Sequence, residues 1–134
     1  AAAALAVLCG YPGCGKSTLC AALERLGWRR ISQDELGSRE LCLKEMTKEL
    51  KRGSRVVLDR TNLSKSDRRM WTAPAAQLGV KAVHCVHFTV DKALCIERAQ
   101  GREAHPTLDA EQAEDVVSRM RIQEPHVREG FVAV

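Results

Sequence analysis

Short apolar segments alternate along the chain with longer segments in which apolar residues recur every three or four positions. The short segments are typical of buried parallel strands, and the longer ones are typical of helices with one apolar face. The predicted strands are Leu5–Cys9, Trp28–Ser32, Arg55–Asp59, Lys81–Thr89 and Gly130–Val134, and the predicted helices are Lys16–Leu26, Ser38–Arg52, Lys65–Leu78, Lys92–Ala99 and Ala110–Gln123. This alternation predicts an α/β fold in which helices cover both faces of a five-stranded parallel sheet.

Glycine, proline and capping residues mark the ends of these predicted elements. Gly27 follows the first predicted helix and should end it, and Ser64 can cap the third predicted helix, Lys65–Leu78. Pro74 lies inside that helix and should kink or split it. Residues 100–107 are polar and contain a glycine and a proline, which predicts a loop.

The length and composition indicate one ordinary globular domain, residues 1–134. Hydrophobic residues make up 45% and charged residues 28% of the chain, and no apolar run is long enough to span a membrane. Residues 1–9 are apolar but lack a basic leader, which favours a core strand over a signal peptide. The chain opens almost on its first strand, as a domain taken from a longer protein would. A net charge of +4 permits a polyanionic partner without demanding one.

Six cysteines are present at positions 9, 14, 20, 42, 85 and 95, without a C-x-x-C pair. We expect a protein of the cell interior, nuclear or cytoplasmic, with reduced thiols. Cys9 and Cys85 lie in predicted strands and should be small core residues. Cys14 lies in a glycine-rich loop, where a reactive thiol and a simple filler are both conceivable, and the filler is favoured.

The glycine-rich stretch 10–18, GYPGCGKST, fits the phosphate-binding pattern G-x-x-x-x-G-K-[ST] between a predicted strand and a predicted helix. Glycines let successive N–H groups turn toward an anion, and the helix N-terminus adds partial positive charge. Lys16 would reach the β- and γ-phosphates of a nucleotide, and the Ser17 hydroxyl would hold Mg²⁺. The strand and helix make a chance match or a decayed loop the weaker interpretation. The predicted nucleotide-binding residues are Gly10, Gly13, Cys14, Gly15, Lys16, Ser17 and Thr18.

Two aspartates follow predicted strands at the same edge of the sheet as this loop. Asp34 follows the second strand, where it can act as general base toward an incoming hydroxyl or merely cap the next helix. Asp59 ends the third strand. It can touch the Mg²⁺ water shell, anchor the following loop through Thr61 and Asn62, or simply form a turn.

Arg98 and Arg102 are four residues apart, at the end of one predicted helix and the start of the polar loop. A lid that carries two arginines would supply positive charge to a transferring phosphoryl group. The alternative is a pair of solvated arginines near a helix C-terminus, which is common.

Together these residues resemble the 5′-hydroxyl polynucleotide kinases of nucleic-acid repair and RNA end-healing, from Leu5 to about Val132. The glycine loop is close to that family's G-x-P-G-x-G-K-S-T, and residues 59–62, DRTN, resemble its D-x-T-N or D-R-N-N element. The resemblance implies a P-loop kinase fold with Asp34 as catalytic base and Arg98 and Arg102 as lid arginines.

Residues 31–71 and 129–131 also resemble the kinase-like module of plant aprataxin-type proteins. In such relatives the kinase is one part of a longer repair polypeptide. Some family members place an acceptor-gripping arginine where this chain has Gly37, and the nearest arginine is Arg39. Basic residues of the predicted helix Lys65–Leu78 are an alternative source of acceptor contacts, but their interpretation as part of a solvated helix face is favoured. Those basic residues are Lys65, Arg68 and Arg69.

The leading functional hypothesis is a kinase that moves the γ-phosphoryl of ATP or GTP to the 5′-hydroxyl of DNA or RNA. It would use Mg²⁺ and act as a monomer or within a larger repair protein, away from membranes. The predicted substrate-binding residues are Asp34, Arg39, Asp59, Thr61 and Asn62. A P-loop kinase of a small metabolite shares every catalytic part and differs only in the acceptor pocket. A non-catalytic nucleotide-binding module is the third hypothesis.

Overall fold

The computed structural model describes residues 2–90, 92–100 and 120–134, apart from the side chains at positions 34, 99 and 100. Strands and helices alternate along most of this part of the chain. The strands are β1 (Ala4–Cys9), β2 (Arg29–Ser32), β3 (Arg55–Asp59) and β4 (Ala82–His87); the helices are α1 (Lys16–Arg25), α2 (Gln33–Leu36), α3 (Arg39–Lys51), α4 (Lys65–Gln77) and α5 (Lys92–Gln100), and a 3₁₀ turn spans Val127–Glu129.

The four strands form one parallel sheet in the order β2-β3-β1-β4. Ser32 pairs with Asp59 at the ends of β2 and β3, so the segments that follow these two strands start side by side. The glycine-rich stretch 10–18, called the phosphate loop from here on, follows β1, the strand between β3 and β4. This topology confirms the predicted α/β fold class. In open parallel sheets of this kind, ligands bind beyond the carboxyl ends of the strands, where these segments begin.

Helices cover both faces of the sheet because β1 is apolar on both sides. Leu5 and Val7 point into the larger core, which includes residues of α3 and α4, among them Met46 and Trp71. Ala6 and Leu8 point into the smaller core with residues of α1. A strand that is buried on both faces holds the phosphate loop on a rigid base.

The prediction of a fifth strand at 130–134 is wrong, because the sheet of the described residues has four strands. This segment makes only an isolated bridge between His84 and Ala133. Gly130 ends the 3₁₀ turn in the left-handed conformation, with φ of 108°, and pairing therefore begins only at Val132. Two hydrogen bonds result, one from the Val132 N–H to the Val83 carbonyl at 2.8 Å and one from the Cys85 N–H to the Ala133 carbonyl at 3.0 Å.

Two predictions about helices also need correction. The predicted split at Pro74 is wrong because α4 is continuous, whereas the alternative of a kink stays a prediction. Pro74 lies in the last turn, where the Leu78 N–H still donates to the Pro74 carbonyl at 3.1 Å. The predicted helix Ala110–Gln123 lies outside the described residues up to 119, and residues 120–123 are not helical. The Gln123 N–H instead donates to the Leu63 carbonyl at 2.8 Å, a tertiary contact that replaces a helical one.

Several other expectations are confirmed. The Ser64 hydroxyl caps α4 by accepting the Asp67 N–H at 3.0 Å, and Gly27 adopts a left-handed φ of 92° after α1. Cys9 and Cys85 are buried in the core. None of the helices in the described ranges combines the length and apolarity needed to cross a bilayer.

Candidate nucleotide-binding site

The phosphate loop connects the central strand β1 to helix α1. Gly15 is the N-cap of α1 with φ of 104°, so no side chain caps the helix, and its first turn contains no acidic residue. The first N–H groups of a helix have no partner within the helix and carry partial positive charge. An uncapped helix start with no acid beside it fits a bound phosphate group.

Lys16 is held inside the loop, with only 8% of its surface exposed. Its Nζ donates to the carbonyl oxygens of Gly10 at 3.0 Å and Tyr11 at 2.8 Å, and lies 3.4 Å from the Cys14 Sγ. The two carbonyl oxygens are uncharged, so they satisfy hydrogen-bonding groups of the ammonium without neutralising its charge. A buried cation in this environment favours an anionic ligand.

Gly10 is required by close packing rather than by its backbone conformation. A Cβ at this position would lie 2.7 Å from the Cys14 Sγ and 2.9 Å from the Phe88 Cβ. Phe88 is itself fixed to the end of β1 by its N–H, which donates to the Cys9 carbonyl at 2.8 Å. Cys14 is buried beneath the loop, as a filler residue would be.

The segment after β3 is joined to the start of the phosphate loop. The Thr61 carbonyl accepts the Gly10 N–H at 2.9 Å. The buried Asn62 side chain donates from Nδ2 to the Leu8 carbonyl at 2.8 Å and accepts the Trp71 indole N–H at 2.8 Å. Thr61 and Asn62 therefore anchor the start of the phosphate loop. The sequence interpretation in which Asp59 anchors its own following loop through these two residues stays a prediction. Since the Asn62 amide is engaged inside the chain, a direct substrate contact by this side chain remains a prediction.

Asp59 is ion-paired with a residue that the sequence reasoning missed. The Arg30 guanidinium donates from Nε to the Asp59 Oδ2 at 2.9 Å and also from Nη2 to the same oxygen. Burial disfavours the charge on Arg30, but the hydrogen bonds and charge of Asp59 outweigh this effect and raise the pKa of Arg30. Because Ser32 pairs with Asp59, Arg30 lies two positions away on the same face of adjacent strands, a pattern that strand pairing could have revealed.

The candidate acceptor residues lie near the same carboxyl edge. Asp34 lies in α2, directly after β2, although its side chain is not among those described. Arg39 begins α3 and pairs with Asp67, with Nη2 and Oδ1 2.9 Å apart. A small cleft at this point is lined by Arg39, Arg60, Thr61, Asn62, Asp67 and Trp71. Arg60 lies over the Trp71 ring, and its buried Nη1 has no hydrogen-bond partner among the described residues.

The two predicted lid arginines are not brought together by the described part of the chain. Arg98 is exposed near the C-terminal end of α5. Arg102 lies outside the described residues, as does the polar loop from residue 101 onward. Their role as a phosphoryl clamp stays a prediction.

Arg68 differs from both sequence interpretations, since it is neither an acceptor contact at the surface nor part of a solvated helix face. Its side chain is fully buried and forms a two-pronged ion pair with Glu129, at 2.8 and 3.1 Å. Its Nη1 also donates to the carbonyls of Asn62 and Leu63, at 2.9 and 3.0 Å. Burial raises the pKa of Glu129, but hydrogen bonds from Arg68 and the His126 N–H outweigh burial and lower it overall.

Two solved structures with the same fold are those of kinases. A fungal RNA kinase superposes on the whole chain with a TM-score of 0.70 at 16% identity, and the match covers 38% of that protein. A gluconokinase from Sinorhizobium meliloti gives a TM-score of 0.65 at 20% identity over 98% of this chain and 81% of its own. Together with the phosphate loop, these neighbours show that the chain has the fold of a P-loop kinase domain.

The family follows from sequence comparison. Residues 5–123 match the AAA domain model AAA_33, and the chain belongs to that family. A bifunctional polynucleotide phosphatase/kinase of Schizosaccharomyces pombe is 31% identical over 97% of the chain, and Transcription factor bHLH140 of Arabidopsis thaliana is 35% identical over 93%. The chain spans 32% and 15% of the lengths of these two relatives. The resemblance to the polynucleotide kinase family is thus confirmed for this domain.

Proposed function

We propose that this domain is an NTP-dependent kinase of polynucleotide 5′-hydroxyl ends, acting on DNA or RNA in end repair. The proposal rests above all on one observation: the uncapped start of α1 and the buried Lys16, which loop carbonyls hold, lie at the same edge of the sheet as Asp34 in α2 and Asp59 at the end of β3. The 31% identity to a polynucleotide phosphatase/kinase supports this acceptor class.

The phosphate loop would hold the donor nucleotide. The N–H groups at the start of α1 would bind the phosphates of ATP or GTP, and Lys16 would leave the Gly10 and Tyr11 carbonyls to reach the β- and γ-phosphates. The nucleotide-binding set remains the loop residues predicted from the motif. Its glycines are required where side chains would clash, as at Gly10.

Ser17 would hold Mg²⁺ with its hydroxyl, which is exposed in the first turn of α1. Mg²⁺ prefers oxygen ligands and retains several waters, so one hydroxyl next to nucleotide phosphates fits this ion. When bound, Mg²⁺ would neutralise developing charge on the phosphates. Asp59, at the end of β3, would hydrogen-bond a metal-bound water while its Oδ2 stays paired with Arg30.

Asp34 would accept the proton of the acceptor hydroxyl as that oxygen attacks the γ-phosphorus, while the bond from the γ-phosphorus to the β–γ bridging oxygen breaks and ADP or GDP leaves. Its position after β2, two strands from the phosphate loop in the sheet order, suits an acceptor that approaches opposite the donor. Arg39 and Thr61, which line the small cleft, would contact the acceptor, and Arg98 and Arg102 would bind the transferring phosphoryl group. The domain would work inside the cell, as a monomer or as part of a longer repair protein.

The acceptor class can be tested by competition in one reaction. Purified domain, Mg²⁺ and γ-labelled ATP or GTP are incubated with 5′-hydroxyl DNA and RNA oligonucleotides, their 5′-phosphorylated counterparts, and a mixture of small polyols. The proposal predicts label on the 5′-hydroxyl oligonucleotides alone, with transfer that weakens as salt rises. Label on a polyol would indicate a metabolite kinase, and nucleotide binding without transfer to any acceptor would indicate a binding module.

A further inference from the structure

A continuous set of buried and partly buried hydrogen bonds links the C-terminal segment of the chain to the start of the phosphate loop. From this set we infer that Asn62 and Arg68 are positioning residues for the loop, and that Glu129 makes nucleotide binding depend on the docking of residues 126–133. The inference rests on the proposed binding of a nucleotide at the loop, but not on the identity of the acceptor.

Asn62 and its neighbour Thr61 hold the junction between β1 and the loop from both sides of Cys9. The Asn62 Nδ2 binds the Leu8 carbonyl at 2.8 Å, and the Thr61 carbonyl binds the Gly10 N–H at 2.9 Å. Asn62 has a φ of 46°, a left-handed conformation that asparagine tolerates better than most residues. A displacement of Asn62 would therefore move the carbonyl and the N–H that set where the phosphate loop begins.

Arg68 holds the backbone of Asn62, whose side chain contacts β1. Its Nη1 donates to the Asn62 and Leu63 carbonyls, while Nε and Nη2 are occupied by the Glu129 carboxylate. Because this guanidinium is fully buried, it needs a carboxylate partner in order to remain at this position. Glu129 supplies that partner, and it also accepts the His126 N–H at 2.9 Å.

The C-terminal segment is docked by two contacts that follow Glu129 in the chain. Phe131 is buried in the larger core, and Val132 donates to the Val83 carbonyl of β4 at 2.8 Å. Undocking this segment would remove Glu129 from Arg68, and Arg68 would then lose the orientation in which it holds Asn62. The phosphate loop is in this way coupled to a segment that does not itself contain a phosphate-binding residue.

The substitution Asn62→Asp tests the first link, because it keeps the shape and the oxygen that accepts the Trp71 indole N–H. It removes the donor to the Leu8 carbonyl and sets a carboxyl oxygen against it. We expect at least tenfold weaker binding of a fluorescent ADP analogue at a temperature where the variant is folded. Leu50→Ala is the matched control, since Leu50 lies in the core part of α3 and outside this set of hydrogen bonds. Its affinity should stay within twofold of the parent domain.

Hydrogen–deuterium exchange tests the second link without any nucleotide. In Glu129→Gln, which keeps the side-chain shape, the Gly10 N–H should exchange at least fivefold faster than in Leu50→Ala at matched stability. Equal exchange in the two variants, or affinities that merely follow stability, would overturn the inference. If the parent domain binds no nucleotide, the proposed function fails, and the exchange comparison still decides whether Glu129 positions the loop.

Discussion

Arg30 and Asp59 form an ion pair across the neighbouring ends of β2 and β3, with the Arg30 Nε 2.9 Å from the Asp59 Oδ2. The Asp59 side chain is only 9% exposed. Arg30 also lies within 4.0 Å of the Glu24 carboxylate. The pair orients one carboxylate at the edge where the proposed donor and acceptor would meet. An aspartate that is held in this way enters a metal-water contact without a further loss of rotamer freedom.

Breaking this pair should lower stability in a coupled manner. We expect Arg30→Gln and Asp59→Asn each to reduce the free energy of unfolding by about 1.5–3 kcal/mol, the usual range for hydrogen bonds to charged groups. The double variant should lose less than the sum, because the second change removes a partner that is already unpaired. Denaturant unfolding of all four proteins measures the coupling, and strictly additive losses would contradict the pairing.

The Glu129 carboxylate should make stability depend on acidic pH. Its pKa in the folded chain lies below the ordinary value of 4.5, because the Arg68 and His126 contacts outweigh the opposing effect of burial. The ionised form therefore stabilises the fold fully above pH 4.5, and this contribution is lost as the pH falls through the lower folded pKa.

Glu129→Gln should accordingly be less stable than the parent at pH 7, by about 3 kcal/mol, because Arg68 is left buried without a carboxylate. The difference should narrow between pH 4.5 and pH 3. Urea unfolding at a series of pH values measures both effects. Two stability curves that stay parallel down to pH 3 would show that the Glu129 carboxylate is not responsible.

Gly10→Ala should abolish tight nucleotide binding. The added Cβ would meet the Cys14 Sγ at 2.7 Å and the Phe88 Cβ at 2.9 Å, so the loop or the Phe88 backbone must shift. Gly79→Ala is the matched control: its φ of 77° is strained for alanine, by about 1 kcal/mol, but no atom lies within 4 Å of the new Cβ. We expect calorimetric titration with ATP to show more than tenfold weaker binding for the first variant and unchanged binding for the second.

The cysteines should resist alkylation in the folded protein. All six are buried, and burial is the main cause that raises the pKa of Cys20 and of Cys85 to about 12. Iodoacetamide at pH 8 should label these two thiols only after unfolding in guanidinium, as read by peptide mass spectrometry. Labelling of Cys20 or Cys85 at the rate of a free thiol in the native state would contradict their burial.

The sequence predicted the parts of the fold that depend on local patterns. Three kinds of feature depend on local sequence: the first four strands, the helices that end at a glycine, and the phosphate loop. They could be predicted because neighbouring residues determine strand burial and turn conformation. The fifth strand failed because Gly130 takes the chain through a left-handed turn before Val132 can pair. The helix end at Gln123 failed because a contact with Leu63, sixty positions away, replaced a local hydrogen bond.

The interior charges of the site were the hardest features to predict. Arg68 reads as one of several basic residues on an exposed helix, and only the docking of Glu129 from the far end of the chain makes its burial possible. The role of Arg30 likewise depends on its ion pair with Asp59, which lies twenty-nine positions later in the chain. Long-range pairs of this kind depend on strand order and on segment docking, which local periodicity does not encode.

The central claim is that the phosphate loop holds the donor while Asp34 activates a 5′-hydroxyl. The most direct test compares donor affinity with the rate of phosphoryl transfer to a 5′-hydroxyl oligonucleotide, in the parent domain, Asp34→Asn and Lys16→Ala. We predict that Asp34→Asn binds ATP or GTP within about twofold of the parent yet transfers at least a hundredfold more slowly, in keeping with loss of a general base. Lys16→Ala should lose both. Transfer at the parent rate by Asp34→Asn would contradict the account.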